Sequence, residues 1–233
     1  MEESNKKCDC KECIIRNLIF SHLKSNEFEN ICNYKVQKNF KKGEIIIEIG
    51  QKLDYLIYLK SGLVKYYVTL NDGRSHIISI SVPFDGFSLL TIFHKDNLAQ
   101  YYMSALEDST LCYIPINLIK ELILKNGDFS LNFITKLNHS SNKIIIDFVK
   151  LYSKNLRGRV AFFLLQLSER VYNGNCLFEL PLSRKEIAEL IGMTTENVIR
   201  TLSEFRKEKI IKINGKEIEI TEKERLFKIS LYG

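Results

Sequence analysis

Six of the 233 residues are cysteines, and three of them crowd into Cys8-Asp-Cys10-Lys-Glu-Cys13. A charged, exposed segment gives thiols little packing to do, so this spacing points to a bound metal such as zinc or to a thiol switch. Cys112, in Leu111-Cys-Tyr-Ile-Pro115, lies in a strand-like run where a cysteine on its own is a small buried hydrophobe. Cys32 and Cys176 read the same way. His22, His76, His94 and His139 are scattered without metal-ligand spacing. A second set of residues is polar. Thr195, Glu196, Ile199, Arg200, Ser203 and Arg206 share one face of a short helix, and that face could enter a major groove. There Arg200 can donate two hydrogen bonds to guanine O6 and N7, and Glu196 can accept from cytosine N4. Taken alone, Glu196 and Arg200 also read as an exposed ion pair worth about 0.3–0.5 kcal/mol. Lys212 and Lys216 are phosphate contacts or solvated strand-edge lysines. The chain has no Ser/His/Asp signature, no phosphate-binding Gly-Lys-Ser/Thr loop and no His-Glu-x-x-His helix, so no catalytic constellation argues for an enzyme.

The elements that position the polar set are legible. Ser183-Arg-Lys-Glu186 is a capping box opening a helix that carries Ile187, Leu190 and Ile191. Gly192 closes that helix, and Thr194 caps a second one in which Val198, Leu202 and Phe205 point inward. Ile211 to Ile220 alternates around Asn214-Gly215 as a hairpin with a primed turn. A helix-turn-helix followed by such a hairpin is a winged helix. Before it, Arg159 to Tyr172 predicts a helix with Val160, Phe163, Leu164 and Leu167 on one face.

Further upstream, strand-like runs at Glu44–Ile49, Tyr55–Leu59, Leu63–Leu70 and His76–Val82 are punctuated by Gly43, Gly50, Gly62, Gly73 and Gly86, which suggests a sandwich or barrel. After Asp128 the period changes. Ile134, Leu137, Ser141, Ile144, Phe148 and Leu151 form one seam of a long helix, open to a second copy or to the chain's own core. Phe133, Ile145 and Val149, beside the seam, are placed to cover the sheet. Ser153 to Gly158 interrupts the helix as a hinge. A hydrophobic fraction of 45% and a charged fraction of 27%, with 3 Pro and 11 Gly, describe a folded chain and exclude collagen-like or disordered character. No run approaches the roughly 18–20 apolar residues that cross a bilayer, and no apolar signal core opens the chain, so a soluble cytoplasmic protein without a membrane partner is expected. The net charge is +6. Residues 1–150 hold 19 basic and 17 acidic side chains and residues 151–233 hold 15 and 11, so the shorter part carries the larger surplus, a mild pointer to a polyanion.

The order of these elements, with Phe40-Lys-Lys-Gly-Glu44, Tyr58-Leu-Lys-Ser-Gly-Leu-Val-Lys65 and Leu182-Ser-Arg-Lys-Glu-Ile-Ala-Glu-Leu-Ile-Gly-Met-Thr-Thr-Glu-Asn-Val-Ile-Arg200, resembles the CRP/FNR family of bacterial transcription regulators over almost the whole chain. The resemblance implies an α+β fold. Residues 1–127 would form an N-terminal segment and a cyclic-nucleotide-binding-like β-roll (jelly roll), 128–156 a long dimerisation helix and hinge, and 157–233 a winged helix-turn-helix. It implies a homodimer on palindromic double-stranded DNA of the TTGA type, with RNA polymerase as a further partner. The cyclic-nucleotide binders of the family place Gly-Glu and Arg-Ser pairs in the roll, where this chain has Gly86-Phe87 and Ala99-Gln100, so tight cyclic-nucleotide binding is not expected. The oxygen-sensing branch holds a 4Fe-4S cluster with N-terminal cysteines and one just before an Ile-Pro. The matching residues are Cys10, Cys13 and Cys112; the branch's third N-terminal cysteine falls on Ile19, so Cys8 completes the implied ligand set. Ile144 and Ile199 stand where that oxygen sensor has an acidic residue and a serine.

Overall fold

The computed structural model describes residue 16 and residues 19–71, 73–83, 85 and 96–233. Cys8, Cys10, Cys13 and Gly86-Phe87 lie outside them. The chain divides into two compact units, residues 1–68 with 79–144 and residues 69–78 with 145–233.

In chain order the elements begin with α1 (Ser25–Tyr34) and continue through β1 (Val36–Phe40), β2 (Ile45–Ile47), β3 (Tyr55–Ser61), β4 (Val64–Thr69), β5 (Ser75–Ser81), β6 (Tyr102–Ala105) and β7 (Ser109–Pro115) to α2 (Ile116–Lys125) and α3 (Gly127–Tyr152). The strands form two sheets, ordered β1-β7-β3 and β2-β6-β4-β5. Successive strand residues face opposite sides. Leu56 and Tyr58 of β3, with Cys112 and Ile114 of β7, therefore join Ile31 of α1, Ile116 and Ile119 of α2 and Phe129 and Phe133 of α3 in one core. Ile57, Leu59, Leu111 and Tyr113 take the opposite face and meet Ile46, Val64, Tyr66, Met103 and Ala105 of the other sheet. β7 is thus buried on both faces, which is why Leu111 to Ile114 reads as a continuous apolar run and not as an alternation.

The four strand-like runs of the sequence all appear, in a roll of α+β class. α1 and α2 were not anticipated. α1 buries only Phe28 and Ile31, too few to set a period, and the Ile- and Leu-rich α2 fits a strand as well as a helix. Of the residues placed beside the seam, Phe133 is buried, but Ile145 and Val149 are exposed. The buried stripe on α3 runs through Phe129, Phe133, Leu137, Ser140 and Ile144, advancing by slightly more than the helical repeat, and so leaves residues 145 and 149 outside.

In the second unit α3 ends at Tyr152 and α4 (Leu156–Gln166) follows Asn155, whose side chain accepts a hydrogen bond from the Gly158 N–H at 2.9 Å. The interruption falls where the hinge was expected. The helix expected from Arg159 starts three residues earlier and finishes as one π turn, Leu167–Val171. Then come β8 (Leu177–Glu179), α5 (Arg184–Ile191), α6 (Thr195–Lys207), β9 (Ile211–Asn214), β10 (Glu217–Ile220) and α7 (Lys223–Tyr232). β8 adds a third strand to the hairpin, in the order β8-β10-β9. Asn214 pairs with Glu217, so the turn is Gly215-Lys216 and not Asn214-Gly215. Gly215, at φ 59°, takes the first turn position, where a primed turn requires positive φ. No described helix is long and apolar enough to cross a membrane.

Candidate functional site

The helix-turn-helix is fixed by its caps. The Glu186 N–H donates to Ser183 Oγ at 3.2 Å and the Ser183 N–H donates to Glu186 Oε2 at 2.8 Å, completing the box at the start of α5. Gly192 ends α5 in the left-handed region at φ 64°. A Cβ there would stand 2.8 Å from Tyr152 Oη, so glycine is required by both conformation and space. Thr194 Oγ1 accepts from the Asn197 N–H at 3.3 Å and starts α6.

Val198, Leu202 and Phe205 are buried as expected, and Thr201 joins them. Glu196, Ile199, Arg200 and Arg206 are exposed on the other side, with Thr195 and Ser203 half-buried at its margins. Glu196 and Arg200 do not pair. Bonding to its own backbone N–H, then to the Thr194 hydroxyl, holds the Glu196 carboxyl below its ordinary range. Arg200 Nη2 donates to Asn197 Oδ1 at 2.9 Å, and its Nε lies 3.9 Å from Glu204 Oε1. The guanidinium is thus steadied along the outward face by side chains of its own helix. On the hairpin, Lys212 is joined to its cross-strand neighbour Glu219 at 2.9 Å, whereas Lys216 stands exposed in the turn.

Three arginines escaped the sequence reading. Arg157 grips Glu208 through both terminal nitrogens, at 2.8 and 3.0 Å, reaches Glu204 at 3.1 Å, and lies over the Phe205 ring, tying α4 to the end of α6. Arg159 donates to the Gly192 carbonyl at 3.0 Å while lying over Tyr152. Arg184 donates to the Gly215 carbonyl at 3.3 Å, linking α5 to the hairpin tip. The signal for the first was the Glu204/Glu208 pair, one turn apart at the end of α6.

Along α3 the seam residues divide. Ile134 and Phe148 are exposed by 62% and 56%, but Leu137 and Ile144 are half-buried against cores of their own chain, and Ser141 Oγ donates to the Leu137 carbonyl at 3.0 Å. Leu151 is half-buried. Leu131 and Ile145, exposed by 67% and 57%, share the outer stripe with Ile134 and Phe148.

Of the four cysteines of the implied ligand set, only Cys112 is described. It is fully buried. Its neighbours across the sheet are Gln37 of β1 and Tyr58 of β3. Tyr58 Oη and Gln37 Nε2 are buried without hydrogen-bond partners, and burial pushes the Tyr58 phenol well above its ordinary pKa. Ile19 is buried in the same core, and its carbonyl accepts from Asn132 Nδ2 at 3.0 Å. Cys32, half-buried against that core, is disulfide-bonded, so it is not the simple buried hydrophobe expected. No group of three or more metal-binding side chains gathers among the described residues. Ala99 is buried, its N–H donating to the Gln51 carbonyl at 2.9 Å, and Gln100 turns back to the Leu98 carbonyl.

Residues 37–126 match the cyclic nucleotide-binding domain and residues 158–229 the Crp-like helix-turn-helix domain. Over 230 residues the chain is 28% identical to the anaerobic regulatory protein of Haemophilus influenzae, covering 95% of this chain and 87% of that one. It is also 28% identical over 229 residues to the fumarate and nitrate reduction regulatory protein of Escherichia coli K12, covering 95% and 90%. The solved structure of FixK2 from Bradyrhizobium japonicum shares the fold at a TM-score of 0.72 and 22% identity, covering 84% of this chain and 96% of that one.

Proposed function

This chain belongs to the CRP/FNR family of DNA-binding transcription regulators, and from that premise we propose that it acts as a homodimer on a palindromic duplex, with RNA polymerase as a further partner, under the control of its cysteines. It is a regulator, as its relatives are, and not an enzyme. The observation that carries the DNA reading is α6, closed on one side by Val198, Leu202 and Phe205 and open on the other at Arg200. Arg200 reads a guanine, Glu196 a cytosine and Ile199 a thymine methyl, while Thr195, Ser203, Arg206 and Lys216 border the phosphates. Lys212 contributes less, because Glu219 already neutralises it. Two copies joined along α3 present two such helices to half-sites roughly 34 Å apart.

For the signal, we read a 4Fe-4S cluster held by Cys8, Cys10, Cys13 and Cys112, in line with relatives named for anaerobic regulation and for fumarate and nitrate reduction. The described part of the site fits: Cys112 offers a soft donor within an apolar core, and Ile19, at the place of the branch's third cysteine, is buried in that core. When bound, the cluster supplies a redox-active, oxygen-labile centre. Cys112 would anchor it to β7, and the core around Cys112 would exclude water. A second reading, a thiol switch, is favoured by the disulfide at Cys32. Tight cyclic-nucleotide binding forms no part of the proposal, because Ala99 puts a methyl where the family's phosphate-binding guanidinium stands.

Anaerobic purification of the full chain tests the signal. The expected protein is brown, contains iron and sulfide in near-equal amounts, bleaches in air, and loses colour in Cys13→Ser and Cys112→Ser but not in Cys176→Ser. Zinc without iron, or no metal and a titratable disulfide, would assign the cysteines to zinc or to the switch. Binding to a palindromic duplex should weaken steeply with salt. Equal affinity for a scrambled duplex would remove the DNA reading.

A further inference from the structure

Arg200 stands outward on α6, and the structure shows how its guanidinium is held before any DNA arrives. A guanidinium has two edges of paired donors: a side edge, where Nε–H and Nη2–H point the same way, and an end edge formed by Nη1 and Nη2. On the side edge, Nη2 donates to Asn197 Oδ1 at 2.9 Å and Nε lies 3.9 Å from Glu204 Oε1. On the end edge, Nη1 has no partner among the described residues. The two side-edge acceptors do not act equally. Glu204 gives its other oxygen to Arg157 Nη1 at 3.1 Å, and its 3.9 Å approach to Arg200 is beyond hydrogen-bond reach. The bond that orients the guanidinium is therefore the one accepted by Asn197. Because a guanidinium only donates, the amide must face it with its oxygen. Asn197 is half-buried in the first turn of α6, and its backbone N–H separately donates to Thr194 Oγ1 at 3.3 Å.

We infer that Asn197 is a positioning residue for base reading: it holds the side edge of Arg200 so that the end edge, Nη1 with Nη2, is presented to guanine O6 and N7; this rests on the DNA reading of α6 above. The two parallel donors of that edge match the two guanine acceptors. A guanidinium already aimed loses less rotamer freedom on docking, which strengthens the guanine complex and leaves complexes without that guanine unchanged.

The test titrates the full-length chain, at fixed salt, with the palindrome it selects and with the same palindrome carrying A·T in place of the guanine pair in both half-sites. The unmodified chain should prefer the guanine duplex by about 5- to 140-fold per half-site. Asn197→Ala keeps the cap bond to Thr194, which the backbone makes, and should lose about 2- to 10-fold per half-site on the guanine duplex and nothing on the substituted one. In an Arg200→Ala background the same change should cost nothing on either duplex. Asn197→Asp keeps the acceptor, so it should keep the preference for guanine while binding both duplexes more weakly through repulsion from the phosphates. Equal losses on the two duplexes, or the same loss with Arg200 absent, would make Asn197 a DNA contact in its own right and overturn the inference. An unchanged preference in Asn197→Ala, or its loss in Asn197→Asp, overturns it as well, and all four results leave the reading of α6 standing. A chain that selects no duplex, or whose Arg200→Ala variant prefers the guanine as strongly, overturns the reading of α6 and this inference with it.

Discussion

Ile145→Asp addresses the outer face of α3, where Leu131, Ile134, Ile145 and Phe148 stand exposed. Full burial of an isoleucine contributes about 1.5–3 kcal/mol. Ile145 is 57% exposed, so a second copy laid against it adds about 0.9–1.7 kcal/mol, and two-fold symmetry doubles this to about 2–3 kcal/mol per dimer. At 1.4 kcal/mol per decade the variant should weaken dimerisation by about 30- to 150-fold, before any repulsion between the two new carboxylates. Sedimentation equilibrium over micromolar concentrations measures this directly, and operator binding should fall in parallel. Ile144→Asp is the control. Ile144 leans on the core formed by Tyr66 and Met103, so its loss should lower the thermal midpoint more than it weakens association. A monomeric unmodified protein at micromolar concentration would refute the reasoning. An Ile144→Asp variant that dissociates while Ile145→Asp stays dimeric would return the seam to Leu137 and Ile144.

Lys216→Ala should weaken binding to all duplexes alike and reduce the salt slope by about one, read from titrations at several salt concentrations. Arg157→Ala should reduce operator affinity without changing the preferred sequence, because it frees the end of α6, and should cost about 1 kcal/mol of stability after allowance for solvent screening. That deficit depends on pH. The Arg157 guanidinium holds the Glu208 carboxyl below its ordinary 4.5, so the stabilisation is present above that value and is lost as pH falls through the lowered one. Urea midpoints of the two proteins should therefore converge in acid. Gly192→Ala should destabilise by about 1–2 kcal/mol through its left-handed backbone, with further loss from displacing Tyr152, and calorimetry will show it.

Local chemistry made the second unit legible. Ser183 with Glu186, Gly192 and Thr194 each act within one helical turn of their own position, so their spacing is visible in the chain, and the structure places the caps there. Long-range pairing was not visible. Nothing adjacent to Arg157 announces Glu208, and nothing near Cys112 announces that Gln37 and Tyr58 come to lie on either side of it. The division of the seam residues was hidden for a different reason. A 3–4 spacing runs in two columns about 60° apart around the helix, and on α3 the column of Ile134 and Phe148 stays outside while that of Leu137 and Ile144 turns toward the core. The hairpin turn moved by one residue because Gly215, and not Asn214, takes the positive φ.

Selection of duplexes from a randomised pool by the full-length protein, run in parallel with Arg200→Ala, tests most directly whether α6 reads DNA. The unmodified chain is expected to enrich two inverted half-sites about one helical turn apart, each with a guanine that Arg200→Ala no longer selects, at a loss of about 1–3 kcal/mol. Recovery of the same motif at the same affinity by both proteins would contradict the assignment of α6 as the reading helix.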